Sequence, residues 1–175
     1  MSDDYRVPAL AEPVDSSFLA RLARYSAIAA GAALVGVTAI QAWQVFARYV
    51  LNDSPGWTEP LALLLLNAAM SLGAASAVRS GSHFGFQVLV QAAPARVANA
   101  LRALADLLVA GVGAVIACYG FVLLADGWNV RMAGAPLPQG APFLPMSIGG
   151  AMIVVFALER LASRFRPARL ADARP

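Results

Sequence analysis

One histidine, one cysteine and ten carboxylates are the metal-ligating side chains that this chain of 175 residues offers. His83 stands alone, and a membrane haem of the bis-histidine kind needs at least two axial ligands from facing helices. Cys118 lies in an apolar run, where a lone thiol can form neither an internal disulfide nor a multi-cysteine metal site and reads as a small apolar residue. The sequence holds no glycine-rich phosphate loop, no paired-carboxylate site, no nucleophile elbow and no metal-spaced cluster. The expectation is a protein without a catalytic centre and without a cofactor or bound metal.

The polar residues that remain interrupt apolar stretches. Arg48 closes one such stretch and Glu59 opens the next, across the turn ARYVLNDSPGWTEPLA from Ala47 to Ala62. Asn52, Asp53, Ser54, Pro55 and Gly56 are turn formers, Thr58 can cap the following helix, and Pro60 is tolerated in its first turn. Trp57 suits the headgroup belt of a bilayer. Two readings of Arg48 and Glu59 stay open: an ion pair tying two helix ends together, or contacts with a periplasmic or membrane partner. Glu59 as an ion carrier is the weakest reading, because it lies at a helix end.

Asn67, Ser71, Ala74, Ala75 and Val78 recur at helical spacing, and with Gly73 they make a strip of small residues. Such a strip allows another helix to approach closely, either within the chain or from a second membrane protein. Asp106 is the one carboxylate clearly inside an apolar stretch. Arg102, four residues earlier, is its expected partner on the same helix.

The elements that would position these residues follow from composition. Hydrophobic residues make up 59% of the chain and charged ones 13%, whereas soluble domains sit near half and a quarter. A spanning helix needs about 20 mainly apolar residues. Four stretches qualify, at 26–46, 57–78, 101–124 and 143–162, each apolar on nearly every side. The expected fold is an all-α integral membrane protein, a single four-helix membrane domain over 1–175. Short interfacial helices are expected over Val14–Tyr25, in a cytoplasmic leader of residues 1–25, and over His83–Ala93. Gly134–Pro145, with four prolines, is expected to be a stiff non-helical loop. The length of the first apolar stretch and the acids Asp3, Asp4, Glu12 and Asp15 before it argue against a cleaved signal peptide.

All thirteen basic residues are arginines. Eleven of them (Arg6, Arg21, Arg24, Arg79, Arg96, Arg102, Arg160, Arg164, Arg166, Arg169 and Arg174) fall on one side of the four spans. Arg48 and Arg131 fall on the other. By the positive-inside rule both termini, including the tail 163–175, belong in the cytoplasm. The arginines flank apolar runs and form no exposed basic face, so nucleic acid is not an expected partner. The lipid bilayer is.

Together, RYVLNDSPGWTEPLA, the stretch LGAASAVRSGSHF at Leu72–Phe84 and the proline-rich approach to the fourth span resemble one family. It is the small permease subunit, DctQ type, of tripartite ATP-independent periplasmic (TRAP) transporters. The family pattern falls on Arg48, Tyr49, Asn52, Trp57, Glu59, Gly73, Arg79, Gly81 and His83. The resemblance runs from Gln44 to Leu161 with two departures. Pro60 replaces the second glutamate of the family's turn, and Phe84-Gly85-Phe86 follows His83 in place of a branched residue and an acid.

The resemblance implies a non-catalytic subunit of the bacterial inner membrane. It would scaffold a large permease that imports a carboxylate-type solute on a sodium gradient, after a periplasmic solute-binding protein captures that solute. Arg48, Asn52, Trp57, Glu59, Asn67, Gly73, Arg79 and His83 are then the candidates for structural or partner contacts. The rival readings are a stand-alone small carrier and a membrane anchor subunit of another complex.

Overall fold

The computed structural model describes residues 18–80 and 94–165. Its elements are α1 (Phe18–Tyr49), α2 (Thr58–Ser80), α3 (Ala95–Asp126), a 3-10 turn (Ala141–Phe143) and α4 (Leu144–Phe165). Among the described residues there is no strand, only an isolated antiparallel bridge between Arg131 and Pro138. Four helices are long and apolar enough to cross a membrane. The expected spans are thus found: 26–46 and 101–124 lie within longer helices, and 57–78 and 143–162 each begin one residue before theirs.

Local sequence sets the helix ends. Asn52 takes a left-handed φ of 56° just past α1, a conformation that asparagine tolerates better than most residues. The Thr58 hydroxyl donates to the Pro55 carbonyl at 2.8 Å and fixes the start of α2. Pro94 precedes α3, and Gly127 ends it with its N–H on the Leu123 carbonyl at 3.1 Å. Pro142 and Pro145 set the start of α4, where a missing N–H costs nothing.

Two expectations change. Residues 18–25 are the first turns of α1, without a break, so no separate interfacial helix is distinguished there. The apolar periodicity of 18–25 continues in phase with the span, and nothing stops the helix. The proline-rich segment includes a 3-10 turn at 141–143, and its last two residues, Leu144 and Pro145, already belong to α4. His83 and Gly81, with the interfacial helix expected over His83–Ala93, lie outside the described residues.

The helices alternate in direction, so α1 starts, α2 ends, α3 starts and α4 ends at one face, here called the terminal face. The turns 50–57 and 127–143 form the opposite loop face. α2 packs on both α1 and α4, and α4 packs on both α2 and α3. This leaves α1 and α3 as the outer helices.

Packing relies on small residues, because in lipid the close approach of backbones replaces the hydrophobic drive of water. The residues of α1 buried against the bundle are Ala23, Ser26, Ala30, Ala33 and Ala47. On α4 two adjacent glycines serve opposite sides. A Cβ on Gly149 would lie 2.5 Å from Ser71 Cβ of α2, and one on Gly150 would lie 2.6 Å from the Ala117 nitrogen of α3. Gly113 and Gly120 of α3 meet Ile153 and Ser147 of α4 in the same way. Toward the terminal face Ala23, Ala75, Val78, Ala110, Ile153, Phe156 and Ala157 close a core drawn from all four helices.

Candidate functional site

The polar chemistry of the described residues gathers at the two faces. At the terminal face, Arg79 in the last turn of α2 meets Glu159 of α4, with Nη1 2.6 Å from Oε2. The Arg79 guanidinium also lies 5.9 Å from the ring centroid of fully buried Phe156, close enough for a cation–π contact. The neighbouring Arg160 turns the other way. Its Nε stands 3.5 Å from Oδ1 of buried Asp106 on α3, and its Nη1 donates to the Val78 carbonyl. Arg160 therefore joins α2, α3 and α4.

Sequence reasoning placed Asp106 correctly among the constrained acids but gave it the wrong partner. Arg102 is exposed, and the ion pair crosses to another helix. The missed residues are Glu159, which the sequence reading passed over, and Arg160, which it counted only as one of the arginines that set topology. The signal was an acid and a base side by side in an apolar helix, FALERLA, where each needs a partner.

Inside the bundle, the Asn67 side-chain amide donates to the Pro142 carbonyl at 3.0 Å. The Ser71 hydroxyl lies 2.6 Å from the Asn67 carbonyl and 2.9 Å from that of Pro145. Gly73 faces α1, where an added Cβ would lie 3.7 Å from Ala30 Cβ. Asn67, Ser71, Gly73, Ala75 and Val78 of the small-residue strip thus make contacts within the chain, while Ala74 is exposed. Among the described residues, no buried side-chain nitrogen or oxygen lacks a hydrogen-bond partner.

At the loop face the two turns differ. Residues 127–140 fold on themselves: Met132 N–H bonds to the Leu137 carbonyl at 3.0 Å, and Gln139 N–H to that of Val130 at 2.8 Å. Gly140 N–H bonds to the Gly127 carbonyl at 3.0 Å. Gly134, at φ 82°, comes so close to Gly56 that a Cβ on either would crowd the other's backbone. The α1–α2 turn instead leaves Val50, Leu51, Asn52, Asp53 and Ser54 exposed.

The ion pair expected between Arg48 and Glu59 is not formed. Both side chains are exposed, and the ion pairs among the described residues are those of Arg79 and Arg160. The buried positions at this junction are Ala47, Thr58 and Pro60. One residue along a helix turns the side chain by about 100°, so Arg48 and Glu59 point away from the seam. Trp57 is also largely exposed.

The family model for the tripartite ATP-independent periplasmic transporters, DctQ component, matches residues 37–167. The chain belongs to the DctQ family. No curated protein matches it closely enough to count as a relative. The family match covers α2, α3 and α4 and the end of α1 from residue 37, and so includes both ion pairs and both loop-face turns. This DctQ component is a multi-pass membrane protein and a small part of a TRAP transporter.

Proposed function

We propose that this DctQ component is a non-catalytic scaffold for the large permease of a TRAP transporter in the bacterial inner membrane. Its termini lie in the cytoplasm, and the terminal face is the cytoplasmic one. The large permease moves a carboxylate-type solute on a sodium gradient, and a periplasmic binding protein delivers it.

The family match over residues 37–167 carries this reading. The placement of charge supports it. Among the described residues, every ionisable acid and arginine sits within two turns of a helix end or in a loop, apart from exposed Arg102 in the third turn of α3 and Asp106, which is bound to Arg160 near the end of α2. A stand-alone carrier needs an acid free to take and release a cation at depth. The middle turns of the four spans are filled with alanine, glycine and branched apolar residues instead.

The test is uptake into proteoliposomes under an inward sodium gradient. The complete transporter with its binding protein should accumulate the carboxylate that the binding protein recognises. This chain alone should match empty liposomes, and omitting it should abolish or sharply reduce uptake. Uptake by the chain alone would overturn the reading.

A further inference from the structure

Between α3 and α4 an arginine stands beside a cavity. Residues 128–131 and 136–138 frame a half-open space of about 320 Å³, lined in part by Trp128, Arg131, Pro136 and Pro138. Trp128 and Arg131 are both exposed. The Arg131 guanidinium joins neither of the ion pairs among the described residues, and Asp126, five residues earlier, does not line the cavity. The frame is built by the chain itself. An antiparallel bridge between Arg131 and Pro138 joins its two sides. The bonds from Met132 N–H to the Leu137 carbonyl and from Gln139 N–H to the Val130 carbonyl flank that bridge.

The helix before it sets its depth. α3 carries no charge from Leu107 to Ala125, and Asp126 is the first at this end. That stretch rises about 28 Å, close to the roughly 30 Å of bilayer hydrocarbon. The cavity begins at Trp128, just past Asp126, and so lies at the level of the lipid headgroups, where tryptophan is favoured. An arginine there offers a planar fork of N–H donors that matches phosphate geometry. Topology gives no reason for it, because Arg131 works against the charge asymmetry that orients the spans. A soluble anion would meet a single cation in an open, wet groove, a contact worth little by itself. A phospholipid gains more from the same contact, because its chains are already held in the bilayer and present the phosphate at high effective concentration.

We propose that this cavity holds the headgroup phosphate of a phospholipid from the leaflet at the loop face, with the Arg131 guanidinium on the phosphate oxygens. Trp128, Pro136 and Pro138 form the apolar wall against which the glycerol and the first carbons of the chains rest. Binding there ties the α3–α4 turn to the membrane surface, and Gly134, seated against Gly56, passes that tie to the α1–α2 turn. The inference needs only the membrane placement of the four helices and stands apart from the scaffold role proposed above.

The chain has three tryptophans, so Trp43→Phe and Trp57→Phe together leave Trp128 as the fluorescent reporter. The full chain in this background, delipidated in a neutral detergent, is titrated with dioctanoyl phosphatidylglycerol. Three further titrations use dioctanoylglycerol, which has the same chains and no phosphate, sodium phosphate and sodium succinate. The phospholipid should change the Trp128 emission saturably, and the other three should not. Arg131→Gln should weaken the phospholipid response by roughly tenfold or more, the scale of a charge-assisted hydrogen bond. The control Arg48→Gln, an exposed arginine at the same face, should leave it unchanged. Both variants should melt like their parent, because neither arginine has an ion-pair partner among the described residues. A saturable response to phosphate or succinate would make this a site for soluble anions and overturn the proposal. Equal responses to phospholipid and dioctanoylglycerol, or equal affinity with and without Arg131, would reduce the cavity to plain apolar contact and overturn it too. Equal weakening by both arginine variants would mean diffuse charge attraction in place of a site, and no saturable response would mean no site at all.

Discussion

Arg160 Nε lies 3.5 Å from Asp106 Oδ1, so the last turns of α4 are tied to α3 by a charge pair whose acid is buried. The same guanidinium serves the Val78 carbonyl of α2. Helices α2 and α3 are held largely through α4, and this residue joins all three.

Asp106→Asn should therefore lower the stability of the purified subunit by about 1–3 kcal/mol, since it leaves Arg160 half-partnered in a partly dry site. Arg160→Met should cost more, because it also removes the hydrogen bond to the Val78 carbonyl. The double variant should lose less than the sum of the two, as expected for residues in contact. Additive losses in thermal denaturation would show that the pair is not coupled.

Glycine substitutions should divide sharply by position. Gly149→Ala and Gly150→Ala force a methyl to within 2.5–2.6 Å of α2 or α3, and overpacking of this kind costs about 1–3 kcal/mol or more. Gly31→Ala and Gly111→Ala meet nothing within 4 Å. They should be neutral or stabilise the isolated subunit by about 0.5–1 kcal/mol through helix propensity. Equal melting temperatures for all four variants would contradict the packing described.

Asn67→Leu should be milder. It removes one interhelical hydrogen bond, to the Pro142 carbonyl at 3.0 Å, and such bonds average about 0.6 kcal/mol in membranes. Ser71→Ala gives up contacts to two carbonyls and should cost at least as much. A loss above about 3 kcal/mol for Asn67→Leu alone would mean that the amide does more than join α2 to the start of α4.

Topology is open to a direct check. By sequence position, eleven of thirteen arginines lie before the first span, between the second and third, or after the fourth, which predicts cytoplasmic termini. A fluorescent reporter fused after Phe165 should be bright, and a phosphatase fused at the same place inactive. The reverse pattern would invert the orientation.

The existence and number of the spans were fixed by composition alone. Twenty apolar residues in a row leave a chain no choice but lipid, so the ranges 26–46, 57–78, 101–124 and 143–162 each fall inside an observed helix apart from its terminal one or two residues. The family was legible too, from the order of Arg48, Asn52, Trp57, Glu59 and Gly73 along the chain. Partners across helices were not. Spacing placed Asp106 beside Arg102 and Arg48 beside Glu59, and both pairings failed for one reason. Sequence distance measures neighbours along a helix, or joins two helix ends through a short turn, but it does not give the rotation of one helix about its axis relative to the next. That rotation is set by where backbones approach most closely, at Gly149 against Ser71 and Gly150 against Ala117. Once those contacts lock, Arg160 points at Asp106, Arg79 at Glu159, and Arg48 and Glu59 are turned outward.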